Sequence, residues 1–199
     1  MVRKPTQMHE TASQTAGPYV HLGLMPTWAG NAGAFDRQLG ARPVTEGARG
    51  TGIEVTGQVF DGTGWPLRDA LIESWQADAA GIYPGRPGAD PAVTGFCRFA
   101  IDPGTATFTL ATVKPGPVAM PDGRMQSPHI ALWIVARGIN TGLLTRVYFE
   151  DADREADPVL SRIEHRDRVD TLIAVPQGPG RYRFDIRLQG PGETVFLDI

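Results

Sequence analysis

The sequence has a single cysteine, Cys97, so no intrachain disulfide can staple the fold. It has no run of about 18 apolar residues, the length that a membrane-spanning helix needs. Histidine occurs only at His9, His21, His129 and His165, and no Cys/His cluster has zinc-ligand spacing. Basic residues are not in excess: 19 Lys and Arg face 22 Asp and Glu, for a net charge of −3. No basic stripe is present to neutralise a phosphate backbone, which removes nucleic-acid binding as a leading role. No G-x-S-x-G elbow and no P-loop occur. The opening Met1-Val2-Arg3-Lys4-Pro5-Thr6 leads into a polar stretch rather than an apolar signal core. With the lone cysteine, this makes a reducing cytoplasm the expected location.

What remains is an ordinary globular composition, 41% hydrophobic and 21% charged over 199 residues. A chain of that length buries a core without metal or disulfide staples. Glycine (24) and proline (17) are abundant, which fits many turns and short extended segments better than a helix bundle. Residues 1–52 hold no period and read as an irregular N-terminal arm, with Trp28 and Phe35 as signs that it packs on something. From Ile53 the pattern changes to period two, with Ile53, Val55 and Val59 on one face of a strand to Phe60. Asp61 to Gly64 reads as a turn. Ala70–Ala77, Ala106–Val113 and Leu143–Glu150 read as further strands, and Pro115–Pro121 as a breaker of regular structure.

His129–Arg137 is a near-continuous apolar run, the pattern of a central strand covered on both sides. Along Arg181–Gln189, Tyr182, Phe184, Ile186 and Leu188 face inward and the intervening charged residues outward. Asp157-Pro158 supplies a helix start before Val159–Glu164. A second short helix is expected within Asp167–Val175 and a last strand at Thr194–Leu197. The fold class is mainly β: a single β-sandwich over residues 53–199, an irregular arm over 1–52, and one or two short helices. Cys97, in Gly95-Phe96-Cys97-Arg98-Phe99, reads as a small filler in a strand rather than a nucleophile.

Three segments carry more specific information: Trp75-Gln76-Ala77-Asp78-Ala79-Ala80-Gly81-Ile82-Tyr83, Lys114-Pro115-Gly116-Pro117, and Ser127-Pro128-His129-Ile130. In order and spacing they resemble the intradiol ring-cleaving dioxygenases, from Ile53 to the C-terminus. The resemblance implies a β-sandwich in which two tyrosines and two histidines hold a mononuclear ferric iron that activates a catecholate toward dioxygen. Side chains at i and i+2 of a strand share a face, so the family's histidines form an H-x-H pair, preceded by an arginine. Here Tyr83 fills the first tyrosine position and His129 the first histidine position. Val118 stands at the second tyrosine, Ala131 at the second histidine, and Gln126 at the arginine. Val118 and Ala131 carry no donor atom. Tyr83, Val118, Gln126, His129 and Ala131 therefore outline a vestigial site, with no metal and no catalytic residue expected in this chain.

Some members of that family pair an iron-free α chain with an iron-binding β chain. The loss pattern resembles the α type, as does the segment Thr11-Ala12-Ser13-Gln14-Thr15-Ala16-Gly17-Pro18-Tyr19-Val20-His21. The resemblance implies that Thr15, Gly17, Pro18 and Tyr19 line the substrate pocket of the partner β chain. It also implies Fe(III) in that β chain, a higher-order α/β oligomer docked through a large apolar face, and conversion of protocatechuate and O2 to 3-carboxy-cis,cis-muconate. Pro18 confines Gly17 to extended backbone, and Gly17 allows close approach to a planar ring. Arg137 shares His129's strand parity but lies roughly 26 Å along the strand. It is expected in a salt bridge at a subunit interface or at a solvated end. A stand-alone, non-catalytic β-sandwich binding module is the rival reading. An independent enzyme with another metal is disfavoured by the missing ligands.

Overall fold

The computed structural model describes residues 14–17, 19–33, 35–36 and 38–198. Its elements run α1 (Val20–Leu24), β1 (Gly52–Gly57), β2 (Val59–Phe60), β3 (Leu71–Gln76), β4 (Phe96–Ala100), β5 (Phe108–Val113), β6 (Val118–Ala119), β7 (Met125–Gln126), β8 (His129–Val135) and β9 (Leu143–Tyr148). Two 3₁₀ helices follow, Leu160–Arg162 and Arg166–Leu172, and then β10 (Val175–Gly178), β11 (Arg181–Arg183) and β12 (Ile186–Arg187).

Two four-stranded sheets form the body, ordered β10-β11-β1-β5 and β4-β3-β8-β9, with small pairs β12-β2 and β6-β7 beside them. One core lies between the sheets: Ile53, Val55, Phe108, Leu110 and Tyr182 meet Ile72, Phe99, Ile130, Leu132, Ile134 and Val147. A polar tie crosses the two sheets as well. The buried Gln76 amide donates to the Val113 carbonyl at 2.9 Å and accepts from the Thr112 hydroxyl at 2.8 Å. This is the β-sandwich that the alternation implied.

The differences from the sequence reading have local causes. The Ile53–Phe60 run is cut into β1 and β2. At the cut, the Asp185 carboxylate takes the Gln58 N–H at 2.9 Å in place of a ladder bond. A Cβ at Gly57 would strike the Phe184 carbonyl and the Phe108 ring, so only glycine permits that close approach. The same cut divides the Arg181–Gln189 run into β11 and β12, although Tyr182, Phe184 and Ile186 are buried as expected. Within Pro115–Pro121 the chain still forms the two-residue β6, which pairs with β7.

Strand β8 is central but not covered equally on both sides. Ile130, Leu132 and Ile134 are fully buried, whereas Ala131, Trp133 and Val135 are half-buried on the outer face. Residues 194–197 form no strand. They run beside β9, with the Leu197 N–H on the Leu144 carbonyl and the Thr145 hydroxyl on the Val195 carbonyl, each at 2.8 Å.

The arm also departs from the reading of it as irregular throughout. It carries the five-residue α1, anchored by the buried His21 ring against Trp28 at 4.8 Å between centroids. Too short to hold itself in water, this helix depends on that packing. Residues 40–45 lie on the free edge of β4, where the Arg98 N–H bonds the Gly40 carbonyl and Val44 bridges Val93.

Ile134 has no exposed surface and belongs to the core between the sheets. Ile134→Ala is expected to cost about 2–5 kcal/mol of stability, read as a lower urea midpoint with an unchanged slope. A loss below 1 kcal/mol would contradict the assignment of this residue to the core.

Candidate functional site

The register of three strands places the site. On the outer face, Trp75 of β3 lies opposite Ala131 of β8, and Ala131 opposite Arg146 of β9. One pair further along, His129 lies opposite Tyr148. In the β6–β7 hairpin, Val118 pairs with Gln126. Two loops complete the setting. Asp78, almost fully buried, accepts from the Ala80 and Ile82 N–H groups, both at 2.9 Å, and from the Asp90 N–H at 2.8 Å. Its own carbonyl holds the Gly116 N–H at 2.9 Å. Cβ atoms at Gly81 or Gly116 would collide with the facing backbone, so the loop bearing Tyr83 and the loop leading to Val118 touch main chain to main chain.

Five of the sequence-predicted residues thus come together. The Tyr83 hydroxyl lies 3.4 Å from His129 Nε2, with Trp75 stacked on the phenol ring at 5.9 Å between centroids. His129 Nδ1 donates to the Ser127 carbonyl at 2.8 Å, which leaves Nε2 as the acceptor of the Tyr83 O–H. Ser127 is itself fixed by Asp157: one carboxylate oxygen takes the Ser127 N–H at 2.7 Å. The other caps the turn that enters the first 3₁₀ helix, at Val159 and Leu160. The expected helix start at Asp157 is therefore present. Its second oxygen, which positions the histidine, was not foreseen.

The cationic side chain missing at position 126 is supplied from the neighbouring strand. Arg146 Nη1 donates to Gln126 Oε1 at 2.7 Å and to the Tyr148 hydroxyl at 3.2 Å. Among the described residues no carboxylate pairs with this guanidinium, and its buried Nε has no partner. Burial, and then the Arg146 charge, push His129 down to about 4. Burial raises Tyr83, opposed by the Arg146 charge. It raises Tyr148 to about 12. At neutral pH the site therefore holds a neutral imidazole, protonated phenols and one guanidinium.

That donor set does not fit ferric iron. Such a hard cation needs phenolate oxygens and open imidazole nitrogens. Here Tyr83 and His129 supply one of each. Val118 and Ala131 offer hydrogen and carbon only. Among the described residues no group of three His, Cys, Asp or Glu converges elsewhere. Cys97 is buried on β4, and burial pushes its thiol up to about 11, which makes it inert as a nucleophile.

The arm residues lie at the opposite end of β8. The Thr15 hydroxyl donates to the Ala136 carbonyl at 3.2 Å and accepts the Gly138 N–H at 2.9 Å. Gly17 has nothing within 4 Å of an added Cβ, and Tyr19 is 76% exposed. Pro18 lies outside the described residues. Arg137, between the two residues that hold Thr15, pairs with Asp69 of its own chain at 2.9 Å and is largely exposed. Its salt bridge is within the chain. Sequence reasoning missed Arg146 and Tyr148. The only available signal was the parity that puts Leu144, Arg146 and Tyr148 on one face of β9.

His129 links the site to pH. Its folded pKa lies below the ordinary 6.5, so the fold favours the neutral ring. That contribution is fully present above about pH 6.5 and is lost as pH falls toward 4, to a total of about 3 kcal/mol. Titration of the His129 ring by NMR should give a midpoint well below that of a free imidazole. His129→Gln should flatten the stability profile across that window. A midpoint near 6.5 would contradict the buried, phenol-bonded ring.

The dioxygenase family profile matches residues 25–190. A protocatechuate 3,4-dioxygenase alpha chain of Pseudomonas putida is 47% identical over 194 residues, covering 95% of this chain and 96% of that one. A protocatechuate 3,4-dioxygenase beta chain of Burkholderia cepacia is 32% identical over 183 residues, covering 83% of this chain and 77% of that one. The crystal structure of 3-chlorocatechol 1,2-dioxygenase from Rhodococcus opacus 1CP superposes with a TM-score of 0.59 at 23% identity. The match spans 74% of this chain and 63% of that structure's length, and it shows a shared β-sandwich. Profile, relatives and site outline agree, and the chain belongs to the intradiol dioxygenase family, nearer in sequence to the alpha-chain relative than to the beta-chain one.

Proposed function

We propose that this chain is the iron-free alpha subunit of a protocatechuate 3,4-dioxygenase and works only with an iron-binding beta subunit. The observation that carries the reading is a contrast. The chain is 47% identical to an alpha chain along 95% of its length, yet two of the four donor positions in its own site are Val118 and Ala131. Fe(III) resides in the beta subunit, which binds the catecholate and dioxygen. The complex opens the protocatechuate ring to 3-carboxy-cis,cis-muconate in the cytoplasm, within aromatic catabolism by the β-ketoadipate pathway.

The alpha chain contributes Thr15, Gly17, Pro18 and Tyr19 to the beta subunit's pocket. Support for this comes from their presentation. Thr15 is clipped to the end of β8, an added Cβ at Gly17 would enter open space, and Tyr19 is exposed. Exposed Trp28, Phe35, Trp65 and Trp75 supply the apolar surface that docking to beta subunits requires. No observation favours the stand-alone binding module.

Gly17 gives a clean test, because a side chain there meets nothing in its own chain. Gly17→Val should leave the thermal midpoint of the alpha chain, the assembly and the beta-subunit iron unchanged. In the assembled complex it should lower kcat/KM for protocatechuate roughly tenfold to a hundredfold, since small misplacements in a pocket cost that much. Unchanged kinetics in a fully assembled complex would remove this segment from the pocket.

A further inference from the structure

We propose that Arg146 is the built-in cation of the vestigial site: its guanidinium takes the place of a metal ion and keeps one out. Two pieces of geometry carry the inference. The first is register. Arg146 lies directly across from Ala131, and directly paired positions have Cβ atoms about 4.5–5.5 Å apart on one face. An imidazole restored at 131 would therefore open onto the guanidinium rather than onto free space.

The second is the set of groups that the guanidinium engages. Arg146 bonds the Gln126 carbonyl oxygen and the Tyr148 phenol oxygen, and it forms no ion pair with any described carboxylate. Its buried Nε has no partner. The half-buried guanidinium is held by those two neutral oxygens. Next to Tyr148 lies the His129 ring, at 5.5 Å between centroids, and next to that the Tyr83 hydroxyl. A permanently protonated side chain therefore stands at the site where a metal ion would bring its charge.

Regaining Tyr at 118 and His at 131 would thus not by itself return iron to the chain. Restoring the donors alone should fail while Arg146 remains. In the family pattern an arginine coexists with iron when it stands three residues before the first histidine, at position 126 here. The position of the cation decides the outcome, not its presence in the neighbourhood.

The test is made on the full chain, co-purified with a beta subunit whose own iron sets the baseline. Ferric iron is the probe, read as metal content above that baseline and as new tyrosinate-to-iron absorption. Val118→Tyr with Ala131→His is expected to add no iron. The same pair with Arg146→Gln is expected to load. So is the pair with Gln126→Arg and Arg146→Gln, which keeps the guanidinium–amide contact but exchanges its ends. Affinity for the metal should rise by about 10–100-fold over the first variant, the usual range for groups surrounding a ligand set. Folding is followed by circular dichroism and by retention of the beta subunit. The exchanged variant preserves the internal hydrogen bond if Arg146→Gln alone destabilises the chain. Full loading of the Val118→Tyr/Ala131→His variant would overturn the proposal. So would folded, assembled Arg146→Gln variants that still take up no iron.

Discussion

The register of β8 between β3 and β9 is the constraint on which everything else rests. Side chains alternate across a strand, so a slip of one residue would carry Ile130, Leu132 and Ile134 out of the core and His129 and Ala131 into it. The bulk of the core therefore pins the register, and the register writes the site: Trp75, Ala131 and Arg146 in one row, His129 and Tyr148 in the next. Stability and site geometry share one cause. The outline of the site is kept because the core fixes how β8 packs.

The loops are held by buried carboxylates rather than by a metal. Asp78 gathers three backbone N–H groups and fixes the approach to Tyr83, and Asp157 gathers three more and fixes Ser127, on which His129 rests. A buried carboxylate stabilises such a loop only while its oxygens remain fully bonded. Strand β8 then has two uses at two ends. Its start lies in the closed, phenol-bonded pocket of this chain. Its end holds Thr15 through Ala136 and Gly138.

Much of this was legible in the sequence where one face alone decides the outcome. The alternation of Tyr182, Phe184 and Ile186 gave the buried face correctly, because burial depends on parity. It could not give the break between β11 and β12, which depends on the Asp185 side chain reaching Gln58 from another strand. The five vestigial positions were legible from motif order. Arg146 was not, because it reaches Gln126 only through a pairing twenty residues apart in the chain. The five-residue α1 was hidden for the same reason: its own sequence is too short to show a helical period, and the His21–Trp28 contact holds it. Long-range contacts, rather than local propensity, account for each omission.

The central claim is that this chain gives shape to another chain's pocket and no metal of its own. The most direct measurement is a reconstitution. An iron-loaded beta subunit is assayed with protocatechuate and dioxygen before and after addition of the iron-free alpha chain, and bound iron is counted in each chain. The account predicts a rise in kcat/KM on assembly, with all iron remaining in the beta subunit. A beta subunit that is equally active alone, or iron found in the alpha chain after assembly, would contradict it.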